Sequence, residues 1–217
     1  MVPLQDTRSV LVYHEGRRPD IAFLDDNLFA SRLSLKKADE LILWDLPPDR
    51  EIFTQILTTV QPDMIHLVGG KYQSIPVFQT EGNLLKLMLQ YISRATQAIE
   101  GPLKITPIQL ASQLSLSAQT ILTGLSVLEK AAWLQTRLVA QGDAPLLETK
   151  LAITPQAKGQ DPSQFAEHLE YGLFRQAMRE AGQFRHWLLT HPLDKIQLVF
   201  DSSAQKEPVH DRQHVLV

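Results

Sequence analysis

The chain has 217 residues, 44% apolar and 21% charged, a composition typical of a globular protein with one large domain or two small ones. Its formal net charge is −3, so no overall positive field attracts it to nucleic acid or to an anionic membrane. It contains no cysteine, which excludes disulfides, thiolate metal sites and cysteine nucleophiles. There is no secretion-signal pattern, and no apolar run approaches the ~20 residues of a membrane span. We therefore expect a cytoplasmic protein without a membrane partner.

The most informative stretch of the first hundred residues is Glu40–Lys71. Two short apolar runs, Leu41–Leu46 and Met64–Val68, are predicted to be buried strands. Between them, Asp49–Val60 repeats apolar residues at helical spacing. A strand, a helix and a strand of this length predict a crossover that joins two parallel strands. The loop after the first strand has no glycine, so it does not resemble a phosphate-binding loop.

Further elements extend this unit to residues 1–100. Ser9–His14 is predicted to be a strand, Ile21–Leu24 a second short strand, and Asp25–Leu35 one or two helical turns. A helix with an apolar face follows, from about Thr80 to Ile99. We therefore predict an α/β N-terminal domain with a small, open, mostly parallel sheet.

Residues 101–158 are predicted to form a winged helix-turn-helix. Thr106 caps one helix, Ser117 caps a second, and a β-hairpin follows with strands at Leu134–Ala140 and Leu146–Ile153. The phrase LASQLSLSAQTILTGLSVLEKAAWLQ closely resembles that family. The resemblance concerns the fold and does not identify a ligand.

Residues 159–200 are predicted to be C-terminal helices, the first of them capped by Asp161. A kink or break is expected near Gly182, because glycine weakens a helix interior. Residues 201–217 are polar and are predicted to be a disordered tail.

The charges of the predicted winged helix argue against base-specific reading of DNA. Five basic and three acidic residues between Pro102 and Lys158 give a net charge of +2, but the predicted recognition stretch Ser115–Leu128 has no charge at all. DNA affinity depends mainly on phosphate contacts, and base reading favours Arg, Lys, Asn and Gln. Packing or protein contact is therefore the favoured role of this helix. The candidate nucleic-acid contacts that remain are Gln119, Lys130, Arg137 and Lys150.

Two acidic residues in one loop are a possible catalytic or metal site. Asp45 and Asp49 flank two prolines at the end of a predicted strand. The simpler interpretation is that Asp49 caps the next helix and Asp45 lies in a turn. His66, in the middle of a predicted strand, is expected to be a core or sheet-face histidine. We therefore assign no catalytic, cofactor-binding or metal-binding residue.

One stretch of the chain resembles a known family. LILWDLPPDREIFTQIL, then QPDMIHLV, then a long helix and a winged helix are similar to the C-terminal region of RecJ, the bacterial single-stranded-DNA-specific exonuclease. The resemblance covers about residues 5–155. The nuclease core of that family holds manganese or magnesium with an Asp-His-His signature, and this chain has no such signature.

The resemblance implies a non-catalytic C-terminal accessory module of a 5′-to-3′ exonuclease in DNA repair and recombination. The implied partners are the nuclease core of the parent protein, single-stranded DNA and DNA-repair proteins, and the metal belongs to the parent. Two alternatives stay open. One is a stand-alone winged-helix module that binds DNA or protein and acts in regulation. The other is a small-molecule enzyme that uses the loop between Asp45 and Asp49.

Overall fold

The computed structural model describes residues 8–16, 25–68, 81–139, 150–156 and 159–191. These ranges contain a four-stranded parallel sheet, a three-stranded antiparallel sheet and five α-helices. The α/β character predicted from the sequence is therefore confirmed. Four predictions lie outside the described residues: the short strand at 21–24, the start of a helix at Thr80, the first half of the return strand, and the tail.

The first unit contains the parallel sheet and one helix. Its elements are β1 (Val10–Tyr13), a 3-10 turn (Asp26–Leu28), β2 (Phe29–Ala30), β3 (Glu40–Leu43), α1 (Arg50–Val60) and β4 (Met64–Leu67). The strand order is β2-β1-β3-β4, and every neighbouring pair is parallel. The predicted strand, helix and strand are thus present, with Leu41 opposite Ile65 and Leu43 opposite Leu67.

Burial in this sheet follows strand position. The central strands β1 and β3 contribute fully buried residues, among them Leu11, Leu41 and Leu43. The prediction of a buried strand is wrong for β4, because it is an outer strand of the described sheet and Met64 at its start is 43% exposed. The expected helical turns at 25–35 are limited to the 3-10 turn, after which β2 begins.

Local sequence signals set the limits of α1. The Asp49 carboxylate accepts a hydrogen bond of 2.8 Å from the Ile52 backbone N–H, which satisfies one of the open donors of the first turn. At the other end Gln61 has a φ of 52°, the left-handed conformation that ends many helices. One face of the helix then packs on the sheet through Phe53, Ile56, Leu57 and Val60.

The second unit has its own core. Its elements are α2 (Glu81–Ile99), β5 (Leu103–Ile105), α3 (Pro107–Leu114), α4 (Ala118–Lys130), β6 (Leu134–Val139) and β7 (Lys150–Pro155). The antiparallel sheet has the order β5-β7-β6. Thr106 and Gln109 form a capping box at the start of α3, and Ser117 caps α4, both at the positions predicted from the sequence.

The helix α2 packs in this second core. Its buried residues Leu84, Leu85, Met88 and Ile92 lie in one cluster with residues of α3, α4 and β7. The sequence predicts this helix as the last element of an N-terminal α/β domain that ends at residue 100. Its buried face belongs instead to the unit that follows. An amphipathic pattern shows that a helix buries one face but not which neighbour it packs against.

The last helix joins the two units. A 3-10 turn (Pro162–Phe165), capped by Asp161, precedes α5 (Leu169–Thr190). The expected break near Gly182 is wrong, because α5 is one continuous helix. Its first half places Phe174 in the second core, and its second half places Leu188 in the first. Packing on both cores stabilises the helix across Gly182.

Candidate functional site at the carboxyl edge of the parallel sheet

The strand order places a possible ligand site between β1 and β3. From β1 the chain passes to β2 on one side, and then to β3 on the other side. In open α/β sheets, ligands usually bind outside the carboxyl ends of the strands at such a reversal. The loops that meet there are His14–Gly16, after β1, and Trp44–Asp49, after β3. The chemistry of these loops therefore decides what the first unit can do.

A buried ion pair lies at this position. The Glu15 Oε1 atom accepts hydrogen bonds from the Tyr13 hydroxyl at 2.6 Å and from Arg32 Nε at 2.9 Å. The two charged side chains are 0% and 1% exposed. Burial raises the pKa of Tyr13 well above its ordinary value, and the negative charge of Glu15 raises it further. Tyr13 therefore remains a neutral donor to Glu15.

Asp45 and Arg185 extend this group of charges. The Asp45 carboxylate accepts a hydrogen bond of 2.8 Å from the Glu15 backbone N–H. Burial raises the pKa of Asp45, although that hydrogen bond and the nearby Arg185 and His14 oppose the shift. Arg185 of α5 donates to the Ser115 carbonyl at 2.6 Å, and burial lowers the pKa of its guanidinium. We call Tyr13, Glu15, Arg32, Asp45 and Arg185 the buried polar cluster.

The second unit closes the crevice over this cluster. The backbone N–H of Gly16 donates to the Ser112 carbonyl of α3 at 2.9 Å. Gly16 has a φ of +64°, and a Cβ there would lie 3.0 Å from the Gln113 carbonyl oxygen, so the contact requires glycine. The position where an α/β sheet usually binds a ligand is thus contacted by α3 and α5. Arg185 is the member of the buried polar cluster that bonds to the second unit, at Ser115.

The cluster does not satisfy all of its polar atoms. Glu15 Oε2, Arg32 Nη1 and Nη2, and Arg185 Nε are buried without a hydrogen-bond partner in the described part of the chain. Unsatisfied buried donors and acceptors cost about 1–3 kcal/mol each. The ion pair between Glu15 and Arg32 therefore carries an energetic cost within the first unit, and it is not a strong source of stability.

Two open clefts lie beside the cluster, between α1 and α4. Their volumes are about 540 Å³ and 530 Å³, and both are lined by Asp49, Glu51, Ser117 and Gln119. The first extends along α5 to Trp187, and the second extends to the start of α3. Arg50 lies over the Trp187 ring at 5.7 Å, so this face of α5 is held against α1.

The two acidic residues considered as a pair have separate roles. Asp49 caps α1, as the simpler interpretation predicted, and it faces the clefts. Asp45 belongs to the buried polar cluster. The two carboxylates of this loop therefore do not converge on one site, and the small-molecule enzyme stays a hypothesis. His66 contacts Glu40 at 3.1 Å on the sheet face, as expected for a sheet-face histidine.

The predicted nucleic-acid contacts are not all on one surface. Arg137 of β6 and Lys150 of β7 lie in neighbouring strands of the second sheet. Lys130 is at the end of α4. Gln119 is at its start and faces the two clefts, about 16 Å away along the helix. Arg137 and Lys150 thus form a separate pair, and the nucleic-acid role of all four residues remains a prediction.

The residues of the buried polar cluster were not identified from the sequence. Glu15 lies in the polar stretch after β1, where a charge is usually exposed to solvent. Arg185 lies among alternating charges on α5, a pattern that indicates a solvated helix face. For Asp45, the sequence suggested a catalytic or metal site, or a place in a turn. The hydrogen bond from Arg185 joins residues that are 70 positions apart, so it leaves no pattern in the local sequence.

The raised pKa of Asp45 predicts the effect of Asp45→Asn. A folded-state pKa above 3.8 means that the protonated form favours folding, so this contribution is present below 3.8 and is lost as the pH rises through the folded-state pKa. Asparagine keeps an acceptor for the Glu15 N–H without a charge. We expect the variant to be more stable than the wild type at about pH 7, and the difference to shrink on acidification. Denaturant unfolding across this pH range measures it. A less stable variant at neutral pH would contradict it.

Two common functional features are absent from the described residues, namely a metal site and a membrane-spanning helix. Within the described ranges, no group of three or more His, Asp and Glu side chains is arranged to hold a metal ion. No helix in those ranges is both long and apolar enough to span a membrane. Comparisons with protein-family models, with curated proteins and with solved structures found no match.

Proposed function

We propose that this chain is a non-catalytic C-terminal accessory module of a 5′-to-3′ single-stranded-DNA exonuclease of the RecJ type. It acts in the cytoplasm in DNA repair and recombination, and it positions DNA or a protein partner. The metal-dependent hydrolysis, with manganese or magnesium, belongs to the nuclease core of the parent protein. The assignment to this nuclease family rests on the sequence resemblance, and the structural observation that supports a non-catalytic role is the contact between the units at the carboxyl edge of the parallel sheet. Gly16 and Arg185 join the units at the edge where an α/β enzyme usually binds its substrate.

The second unit is, in this proposal, a winged helix-turn-helix. The elements follow one another in the order α2, β5, α3, α4, β6 and β7. The last strand, β7, lies between β5 and β6 in the antiparallel sheet. That arrangement supports the expectation from the sequence, with α3 and α4 as the helix pair and β6 and β7 as the wing.

The packing of α4 supports a role other than insertion into a DNA groove. Its exposed residues before the last turn form one narrow stripe, Gln119, Leu122 and Ser126. α5 packs against α4, where a Cβ on Gly124 would lie 3.1 Å from the Phe174 ring. A recognition helix needs several side chains free to reach base edges. We therefore assign α4 to internal packing and place any DNA contact on another surface.

An activity assay tests the non-catalytic role. We expect the purified chain to release no nucleotides from 5′-labelled single-stranded DNA in the presence of manganese. Adding the chain to the nuclease core of its parent is expected to lower the KM for DNA with little change in kcat, because positioning a substrate changes binding rather than chemistry. Degradation by the chain alone that survives stringent purification would contradict the proposal, and so would an unchanged KM.

A stand-alone regulatory module with a winged helix is the second candidate. The observation that favours it is the separate core of the second unit, which α2, α3, α4 and β7 build with the first half of α5. Such a unit needs no nuclease core to bury its apolar residues. Sequence-specific binding to duplex DNA would favour this candidate over the nuclease accessory, because an accessory to a single-strand exonuclease has no need of base readout.

A further inference from the structure

Three basic side chains lie on one face of the second sheet. Lys104 of β5 and Arg137 of β6 are each directly opposite Ala152 of the central strand β7. Residues paired across strands point to the same face, and residues two apart along a strand do so as well. Lys150, two residues before Ala152, therefore joins them. We call Lys104, Arg137 and Lys150 the basic face.

The basic face is on the outer side of the sheet. In the neighbouring row, Leu103 and Ile153 belong to the second core, so the row of Ala152 points away from it. Lys104 and Arg137 are exposed. Ala152 is only 4% exposed between them, as expected for a small residue whose neighbours on both sides have long aliphatic stems. The charged ends of those stems therefore face solvent.

No acidic residue in the described strands neutralises this face. The other described residues on it are neutral: Gln135, Val139 and Thr154. Glu129 is nearby, but its carboxylate accepts hydrogen bonds of 3.0 Å from the backbone N–H and the hydroxyl of Thr136, whose side chain belongs to the opposite face. Within the described strands, the basic face is therefore a local concentration of positive charge in a chain whose net charge is −3.

The spacing suits a chain of negative charges. Lys104 and Arg137 are two strand spacings apart, about 10 Å between α-carbons, and Lys150 is about 7 Å along the strand from their row. All three charges lie within about one Debye length at 0.1 M salt, so they act together on an approaching anion. The described residues of the face include no aromatic ring on which a base can stack, which favours phosphate over a base as the group in contact.

We propose that the basic face binds the phosphate backbone of a nucleic-acid strand without reading its sequence. This inference rests on the proposed role in positioning DNA, and it names the surface that does so. A single strand is the expected ligand, because that is the substrate of the proposed parent nuclease. Lys130 and Gln119 are not part of this surface.

Fluorescence anisotropy with labelled oligothymidylate tests the proposal. Three neutralised phosphates give a slope of log K against log salt of about −2 on a single strand, so a fourfold rise in salt weakens binding about 16-fold. The variant Lys104→Gln/Arg137→Gln/Lys150→Gln is expected to abolish this slope. The matched control, Lys37→Gln/Lys86→Gln/Arg179→Gln, removes two lysines and one arginine from exposed positions elsewhere and is expected to keep it.

Three outcomes would overturn the inference. One is an equal loss of affinity in the control variant, which would assign binding to overall charge. Another is tighter binding of duplex than of single-stranded DNA at equal phosphate concentration. The third is displacement of the DNA by polyglutamate of equal charge, which would indicate an acidic protein as the partner. This experiment measures DNA binding directly. If the basic face does not bind DNA, the KM assay with the nuclease core still tests the accessory role separately.

Discussion

Replacing Glu15 with alanine is expected to lower the free energy of unfolding by about 3–5 kcal/mol. The substitution leaves the Arg32 guanidinium charged, buried and without its counter-ion. It also removes the acceptor of the Tyr13 hydroxyl. Both groups then carry a desolvation cost that no other contact in the described structure offsets. Denaturant unfolding followed by circular dichroism measures the loss.

A double variant separates the cost of breaking the ion pair from the value of having it. In Glu15→Leu/Arg32→Met both charges are replaced by apolar side chains of similar length. Because three of the pair's polar atoms lack a hydrogen-bond partner, replacing both charges removes unsatisfied groups along with the contact. We expect the double variant to be more stable than Glu15→Ala. If it loses as much as the single variant, the pair is a net source of stability and our account of the cluster is wrong.

The parts of the fold that were predicted from the sequence are those with short-range causes. The helix α1 follows from apolar residues at helical spacing and from a cap that bonds three residues ahead, at Ile52. The starts of α3 and α4 follow in the same way from Thr106 and Ser117. β3 and β4 were located by apolar runs beside prolines and glycines. Each signal is complete within a few residues.

The parts that were missed depend on distant partners. The amphipathic pattern of α2 identified a helix, but the core that it joins is made by residues far along the chain. The buried polar cluster combines Glu15, Arg32 and Arg185, each of which alone has the pattern of a solvated charge. The candidate site at the carboxyl edge of the parallel sheet was located from the order of its strands. The spacing of apolar residues along the sequence does not reveal that order. The position of β4 in the sequence was predicted correctly, but its place at the outside of the sheet was not predicted.

The continuity of α5 across Gly182 leads to the second large effect. This glycine lies between the half of α5 that packs in the second core and the half that packs on the first. Proline there removes a backbone hydrogen bond and clashes with the preceding turn, at a cost of about 3 kcal/mol or more. We expect Gly182→Pro to lower stability by at least that amount. We also expect it to uncouple the units. In a Trp44→Phe/Trp133→Phe background, the fluorescence of Trp187, which lies beside α1, and the circular dichroism signal should then no longer change together on unfolding.

Gly182→Ala is the matched control, because it changes the same exposed residue without breaking the helix. A Cβ added at this position meets no atom within 4 Å, so alanine adds no clash. It reduces the entropy of the unfolded chain and is expected to stabilise the protein by about 0.5–1 kcal/mol. If α5 were instead broken at Gly182, as the sequence alone suggested, proline would cost little and alanine would gain little. A wide gap between the two variants therefore establishes α5 as the rigid connection between the cores.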